Sequence, residues 1–243
     1  MPLELTNTPL ASDPNLKGYY RLEANGNDSS GNGNNLSTVV GSPSYTSGYF
    51  GNGAMFDNGE SISLANNLGI DNGNFSMSIW VKLTAEITGS AFWFVELNGG
   101  DSVDTGMGIQ YEYNAGTRRL YFDRVKWNVA HQGMYYNIAL GTSSWYHIVL
   151  TYDGSNLRGY LNGSLVAGPT AASGNGSGTT SALTSIGMGG TTCAGLIDDV
   201  AIFNRVLTQS EITSIYQGDG WTASTNYLTN YRNRKRVSGA VSV

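Results

Sequence analysis

The strongest constraint on this chain is a two-residue alternation of apolar and polar side chains, repeated in short segments that glycine- and asparagine-rich turns separate. In Phe75–Leu83 every odd position is apolar, which predicts a β-strand with one buried face and with Trp80 on the other face. Residues 145–152 alternate between two largely apolar faces. Asp153-Gly154 then predicts a turn, and Asn162-Gly163 predicts a tight hairpin. Many short strands of this kind are typical of an antiparallel two-sheet sandwich.

Composition also argues against a helical protein. Charged residues make up 13% of the chain, about half the usual share of roughly 25%. The sequence has four lysines and seven glutamates, so the surface residues that favour long helices are scarce. This excludes a coiled coil or a helical bundle. The hydrophobic content of 40% is sufficient to form a core, so we do not expect a disordered chain.

One short helix is predicted near the C-terminal end. Thr208-Gln-Ser-Glu211 has the pattern of a capping box, in which each side chain satisfies an exposed amide of the first turn. Leu207 and Ile212 are spaced as a hydrophobic staple, and Gly218 is placed to end the helix. A helix this short is not stable alone, so we expect it to pack on the sandwich.

The charge distribution divides the chain. We assign residues 1–15 to an N-terminal arm, 16–217 to the sandwich and 218–243 to a C-terminal extension. Residues 1–230 carry nine basic and eighteen acidic residues, a net charge of −9, whereas the last thirteen residues carry +4. An acidic body repels a phosphate backbone, so no nucleic-acid binding is expected of the main domain.

Two further sequence features concern the location of the protein. The longest wholly apolar run covers residues 91–95, far short of the roughly 20 residues that a membrane helix needs, so we expect no membrane insertion. The first residues contain neither a basic segment nor an apolar segment of the secretory type. The sequence therefore predicts no Sec signal peptide.

Several segments together resemble the laminin-G-like, concanavalin A-like jelly-roll domain family. They run in order over roughly residues 16–217: Leu16-Lys-Gly-Tyr-Tyr-Arg-Leu22, Gly51-Asn-Gly-Ala-Met-Phe56, Phe75-Ser-Met-Ser-Ile-Trp80-Val, Trp145-Tyr-His147-Ile-Val, Tyr160-Leu-Asn-Gly163 and Gly195-Leu-Ile-Asp198-Asp199-Val-Ala-Ile-Phe203. The resemblance implies an all-β, two-sheet antiparallel jelly-roll sandwich with one short C-terminal helix and extended terminal arms. It does not determine function, because the family includes lectins, adhesion modules, enzyme-attached domains and viral structural proteins. Residues 92–140 depart most from the family pattern.

The resemblance also implies a structural calcium ion. In similar domains a carboxylate on the last strand and groups near the N-terminal segment hold the ion, which here points to Asp198 or Asp199 with Asp28 as a partner. Calcium prefers several hard oxygen ligands, and carboxylates with loop carbonyls supply them. Alternatively, Asp28 forms an Asx turn in its loop, and Asp198 or Asp199 pairs with Arg205 or with a backbone amide.

A cluster of aromatic residues suggests a surface that binds glycans. Residues 92–136 contain ten of the 27 aromatic residues of the chain. Tyr111 and Tyr113 are two apart on a predicted strand, so they point to the same face. Aromatic rings pack on the apolar faces of sugars, and we take Trp93, Tyr111, Tyr113 and Trp127 as candidate contacts. Alternatively, these rings fill the core or a contact between subunits.

The sequence argues against catalysis. Glycoside hydrolysis normally needs two carboxylates at a defined separation. Enzymes of this fold that cleave β-glucans carry a Glu-x-Asp-x-x-Glu or Glu-x-Asp-x-Glu run on one strand, and the chain has neither run. We therefore predict a protein that is not an enzyme.

The C-terminal tail is a candidate for partner binding. Its basic cluster could bind an anionic surface, and its apolar tip could add as a strand to the sheet edge of a partner. Alternatively, the tail is a solvated terminus. The residues concerned are Arg232, Arg234, Lys235, Arg236, Val241 and Val243.

These features together predict a non-enzymatic structural or attachment protein of a large assembly, such as a decoration or fibre protein on a virion surface. Its partners would be assembly proteins or further copies of itself, held through the terminal arms, with contact to cell-surface glycans as a second role. The alternative is an exported glycan-binding lectin or adhesin. Both predictions place the protein on a virion surface or outside the cell.

Overall fold

The computed structural model describes residues 4–70, 73–87, 92–97, 106–124, 132–172, 184–189 and 194–218. Within these ranges the N-terminal arm forms 3₁₀ helices at Leu5–Asn7 and Pro9–Ser12, and α1 covers Gln209–Gln217. The strands are β1 (Leu16–Tyr20), β2 (Thr38–Val40), β3 (Ser44–Ser47), β4 (Asn52–Phe56), β5 (Ser61–Leu64), β6 (Phe75–Leu83), β7 (Phe92–Leu97), β8 (Met107–Asn114), β9 (Thr117–Arg124), β10 (Met134–Asn137), β11 (Tyr146–Tyr152), β12 (Asn156–Leu161), β13 (Ser164–Ala171), β14 (Thr184–Gly189) and β15 (Gly195–Phe203). None of the helices in these ranges is long and apolar enough to cross a membrane.

The strands form two antiparallel sheets. The first sheet has the order β13-β12-β11-β6-β15-β4-β3, with β1 also pairing with β15. The second sheet has the order β10-β9-β8-β7-β14-β5-β2. The predicted fold, an all-β sandwich of two antiparallel sheets with one short helix, is confirmed.

The main core lies between the two sheets. Strand β6 has the predicted bounds, and its odd residues Met77, Ile79 and Val81 are fully buried in this core. The second sheet contributes residues such as Ile109 and Phe122, which are also fully buried. Alternation therefore gives strands such as β8 and β9 of the second sheet an inner face toward this core and an outer face away from it.

The predicted hairpin at Asn162-Gly163 joins β12 to β13. Asn162 has φ 50° and Gly163 has φ 80°. Two consecutive positive φ angles are those of a type I′ turn, whose twist matches that of the flanking strands. The same geometry explains why the Asn-Gly pair was an informative signal.

The outer face of the first sheet is covered, which differs from the expectation for Trp80. Trp80 is 1% exposed, and its neighbours Ser76 and Ser78 on the same face of β6 are also buried. A second apolar cluster forms on this side of the sheet, where α1 and the N-terminal arm pack. Its members are Leu5, Leu10, Leu16, Tyr19, Val149, Tyr160, Ala201, Phe203, Leu207, Ile212 and Ile215. Both faces of the first sheet are therefore buried where these segments pack.

Helix α1 begins and ends as predicted. Thr208 and Glu211 form the capping box, and Gly218 closes the helix in the left-handed conformation with φ 72°. Arg205 connects this helix to the N-terminal arm, because its Nη2 lies 2.6 Å from a carboxylate oxygen of Asp13 and 2.6 Å from one of Glu211. These half-buried ion pairs join the two segments that cover the first sheet.

Candidate functional site

Three aromatic residues and one glutamine, all at least partly exposed, cross the outer face of the second sheet. Trp93 of β7 pairs with Gln110 of β8, Gln110 pairs with Tyr121 of β9, and Tyr121 pairs with Tyr135 of β10. We call these four residues the aromatic row. Tyr135 is 55% exposed. Neighbouring strands lie about 4.8 Å apart, so the row spans about 14 Å.

A second row lies beside the first. It runs from Ser63 through Ser185 and Glu96 to Gly108 and Asp123, on strands β5, β14, β7, β8 and β9. We call it the carboxylate row.

A β-bulge brings the two rows onto the same face. The register of β7 with β8 shifts between Trp93 and Val95, and both Phe94 and Val95 are fully buried. Because of the extra residue, Trp93 and Glu96 both face outward although they are three positions apart. Re-aiming side chains in this way is a common use of bulges near functional sites.

Trp93 lies directly over Gly108. A Cβ atom added to Gly108 would come within 2.9 Å of Cζ3 of the Trp93 ring. The absence of a side chain at this position therefore lets the indole settle against the backbone of β8. Gly108 separates Glu96 from Asp123 in the carboxylate row.

The charges on this face are mostly negative. Burial and the neighbouring Asp123 raise the pKa of Glu96 to about 7, and Asp123 is itself buried. Glu112 forms an ion pair with Arg119. The guanidinium of Arg119 also lies 4.5 Å from the centre of the Tyr135 ring. Arg119, the one basic side chain on the outer face of the described strands of this sheet, is thus engaged by a carboxylate and a ring.

The structure places the predicted glycan contacts on different faces and in different parts of the chain. Tyr111 and Tyr113 do share a face of β8, but it is the inner face. Tyr111 is fully buried, donates a hydrogen bond to the carbonyl of Ile138 at 3.2 Å and accepts one from the amide of Leu140 at 2.8 Å. The prediction that Tyr111 contacts a sugar is therefore wrong, because its ring has no accessible face.

The remaining predicted contacts have different positions. Tyr113, at the end of the same inner face, is 37% exposed and lies 5.4 Å from the guanidinium of Arg118. Trp93 lies in the aromatic row. Trp127 and the tail residues Arg232, Arg234, Lys235, Arg236, Val241 and Val243 lie outside the described residues.

No local sequence pattern groups Gln110, Tyr121, Glu96 and Asp123. One signal could have helped, since Ala115 and Gly116 have φ 47° and φ 85° and form the tight turn between β8 and β9. Recognising this turn would have set the register of these two strands and placed Gln110 opposite Tyr121. An Ala-Gly turn is a weaker signal than Asn-Gly.

The carboxylates predicted as calcium ligands accept hydrogen bonds from other groups of the protein. Asp28 accepts hydrogen bonds from the amides of Tyr19, Ser30 and Asn34 at 2.9 to 3.0 Å. The bond from Ser30 closes the Asx turn that the sequence left open as the alternative.

The two aspartates of β15 also accept hydrogen bonds from the protein. Asp198 accepts bonds from the amides of Tyr49 and Phe50, both at 2.8 Å, and Asp199 accepts from the Tyr19 hydroxyl and the Leu5 amide. Within the described ranges, no three His, Cys, Asp or Glu residues form a group that could hold a metal. Calcium binding at Asp28, Asp198 or Asp199 stays a prediction.

Burial of the adjacent pair Asp198 and Asp199 predicts that stability falls as the pH rises. Burial raises the pKa of Asp198 to about 8 and that of Asp199 to about 7. The native state therefore keeps protons that the unfolded chain, with ordinary aspartate pKa values, has already lost. We expect the free energy of unfolding to fall by several kcal/mol between pH 5 and pH 8, as measured by urea denaturation.

Asp199→Asn is the matched variant for this prediction. Asp199 has φ 49°, a conformation that asparagine tolerates, so the substitution removes the charge with little change in backbone strain. The pH dependence should become shallower in this variant. A wild-type stability that increases from pH 5 to pH 8 would contradict the prediction.

Comparisons with known proteins agree on the architecture. A family model described as the concanavalin A-like lectin/glucanases superfamily matches residues 56–213. Domain 4 of an extracellular arabinanase from Geobacillus stearothermophilus, solved with arabinotriose, has 21% identity and a TM-score of 0.61, with 83% of this chain and 98% of that domain covered. Among curated protein sequences, none matches this chain.

Two toxin domains are also similar. The binding domain of paraclostridial mosquitocidal protein 1 has 17% identity and a TM-score of 0.68, with 84% of this chain and 52% of that chain covered. The binding domain of botulinum neurotoxin DC in complex with SialylT has 15% identity and a TM-score of 0.62, with 84% and 52% covered. The chain thus spans about half the length of each toxin domain. At such identities the similarity concerns the fold alone.

Proposed function

Because this chain belongs to the concanavalin A-like lectin/glucanase superfamily, we propose that it is a glycan-binding module and that its binding surface is the outer face of the second sheet. The observation that carries the proposal is the aromatic row, which lies directly beside the carboxylate row. Aromatic rings pack against the apolar faces of sugars, while carboxylates and amides form hydrogen bonds with sugar hydroxyls. The outer face of the first sheet is covered by α1 and the N-terminal arm, which leaves the second sheet as the better surface.

The similar proteins support a binding role without specifying the ligand. The arabinanase domain with the same fold was solved with arabinotriose, and the toxin domains are described as binding domains. These ligands belong to those proteins. For this chain they make a saccharide the first ligand class to test.

Replacing Trp93 with alanine tests the proposal. Trp93→Ala removes the ring that lies over Gly108, and we expect affinity for the bound saccharide to fall about tenfold or more. The melting temperature should change by only a few degrees, because the ring is partly exposed. Binding is measured on a glycan array and then by calorimetry with the best ligand.

Tyr113→Ala is the matched control, since it removes a half-exposed ring from the opposite face of the same sheet. It should leave saccharide affinity unchanged. A glycan array without signal for the folded wild-type protein would count against the proposed function. Equal losses of affinity in Trp93→Ala and Tyr113→Ala would also count against it.

We propose that the module is not catalytic. The carboxylate row does contain two acids, Glu96 and Asp123, on strands separated by β8, and glycoside hydrolysis uses a pair of carboxylates. Mixtures of the protein with the saccharides it binds are therefore assayed for new reducing ends. We expect none. If the wild-type protein produced new reducing ends and Glu96→Gln did not, the protein would be a hydrolase and this proposal would be wrong.

We also propose that the module serves as the attachment part of a larger assembly, such as a virion surface. Support comes from the sequence, in which a basic and apolar tail follows an acidic body. In this proposal the C-terminal extension holds the assembly partner, and the outer face of the second sheet stays available for a glycan.

A further inference from the structure

Two rings of the aromatic row lie over glycines of neighbouring chain segments. A Cβ atom added to Gly108 would come within 2.9 Å of Cζ3 of Trp93, and one added to Gly133 would come within 2.5 Å of the hydroxyl oxygen of Tyr121. Gly133 directly precedes β10. Each ring therefore takes the place that a side chain on the adjacent segment would occupy. Both rings extend across the surface of the sheet instead of pointing straight out from it.

The two rings repeat one arrangement. Trp93 extends from β7 toward β8, and Tyr121 extends from β9 toward β10. Since β7 and β9 are the two neighbours of β8, the rings are separated by two strand spacings, about 10 Å. Both rings are partly exposed. Their separation is about the length of two units of an extended oligosaccharide.

Gln110 lies between the two rings. It pairs with Trp93 on one side and with Tyr121 on the other, and it is partly exposed. Its amide offers an acceptor oxygen and two N–H donors, which suit the hydroxyl groups of a sugar. Across the strands, this face therefore presents a ring, an amide and a second ring in that order.

We propose that this face binds extended, unbranched oligosaccharides of at least three sugar units. The inference rests on the proposed function and specifies its ligand class. The outer two units of a trisaccharide stack on Trp93 and Tyr121, and the middle unit forms hydrogen bonds with Gln110. A monosaccharide reaches only one of the rings, and a tightly coiled chain does not present two apolar faces at this spacing.

Chain length is the ligand property that this arrangement should discriminate most strongly. Once one unit lies on Trp93, a linked unit meets Tyr121 without a second loss of translational freedom. A trisaccharide spans the two strand spacings, whereas a disaccharide does not. We expect affinity to rise about tenfold or more from the disaccharide to the trisaccharide, and to change less with each further unit.

Oligosaccharide ladders of one to six units test this inference. The full-length protein is titrated by calorimetry with xylo-, cello- and arabino-oligosaccharides. Trp93→Ala and Tyr121→Ala should each remove most of the gain from the disaccharide to the trisaccharide, because either variant leaves only one of the two rings. Tyr113→Ala is the control, since its ring lies on the opposite face of the sheet, and it should keep the full gain.

Gly133→Ala tests the position of Tyr121 without removing a group that contacts the ligand. The added Cβ atom would displace the Tyr121 ring, so we expect affinity for the trisaccharide to fall severalfold while affinity for the monosaccharide changes little. Gly73→Ala is the matched control, because a Cβ atom there meets nothing within 4 Å. Circular dichroism and thermal melting verify that all the variants are folded.

The outcomes distinguish this inference from the proposed function. A steep gain at the trisaccharide that both ring variants lose supports both. A monosaccharide that binds as tightly as the trisaccharide, or a gain that both ring variants retain, overturns the inference and leaves glycan binding intact. If the folded protein binds none of the ladders, the inference is overturned, and the glycan array decides the proposed function separately.

Discussion

Trp80→Ala is expected to lower the free energy of unfolding by about 4 kcal/mol, although the sequence pattern of β6 places this residue on the face opposite the main core. Burial determines the size of the effect. Trp80 is 1% exposed, and truncating a buried tryptophan removes its transfer free energy and also leaves a cavity. Equilibrium unfolding in urea measures the change.

The surroundings of Trp80 leave little room for relaxation. The Tyr49 ring stacks on it at 3.8 Å with an interplanar angle of 15°, and Tyr216 of α1 lies parallel at 6.0 Å. His147 lies 5.0 Å away, and burial lowers its pKa to about 3, so its imidazole is neutral. Because these rings come from different elements, they cannot all move in to fill the space.

Tyr135→Ala is the control for Trp80→Ala. Tyr135 is 55% exposed on the other sheet, so removing its ring should cost less than about 1 kcal/mol. If Trp80→Ala cost no more than this control, the outer face of the first sheet would not be covered in solution. The packing of α1 and of the N-terminal arm would then need revision.

Local patterns account for most of what could be predicted of the fold. Alternation predicted β6 at Phe75–Leu83, and the capping box and Gly218 predicted α1. These signals depend on residues within a few positions of each other. What alternation could not reveal is that α1 and the N-terminal arm cover the outer face of the first sheet, because that contact joins segments far apart in the chain.

The candidate site was harder to predict because it depends on strand register. Trp93, Gln110 and Tyr121 become neighbours only when β7, β8 and β9 pair as observed, and a slip of one residue would reverse the faces. The bulge after Trp93 adds to the difficulty, since strict alternation places Trp93 and Glu96 on opposite faces. The same reasoning explains Tyr111, whose aromatic side chain suggested a ligand contact but whose position on β8 faces the core.

Gly159→Ala is expected to destabilise the protein by about 3 kcal/mol, because the added methyl group would overfill the core. Gly159 lies on β12 of the first sheet and faces Phe122 of β9 across the sandwich. A Cβ atom at this position would lie 2.4 to 2.7 Å from three atoms of the Phe122 ring. The ring is fully buried, so it cannot turn toward solvent, and the two sheets would have to separate locally.

A double-mutant cycle isolates this contact. Phe122→Leu alone removes ring volume and destabilises the core, but it also makes space for the new methyl group. The double variant Gly159→Ala/Phe122→Leu should therefore be more stable than the sum of the two single changes predicts, by about 1 to 2 kcal/mol. Gly73→Ala is the control, since a Cβ atom there meets nothing within 4 Å, and it should change stability by less than about 0.5 kcal/mol. Strict additivity in the cycle would mean that β12 and β9 are not in contact at this point of the sandwich, and the assignment of Phe122 to the inner face would fail with it.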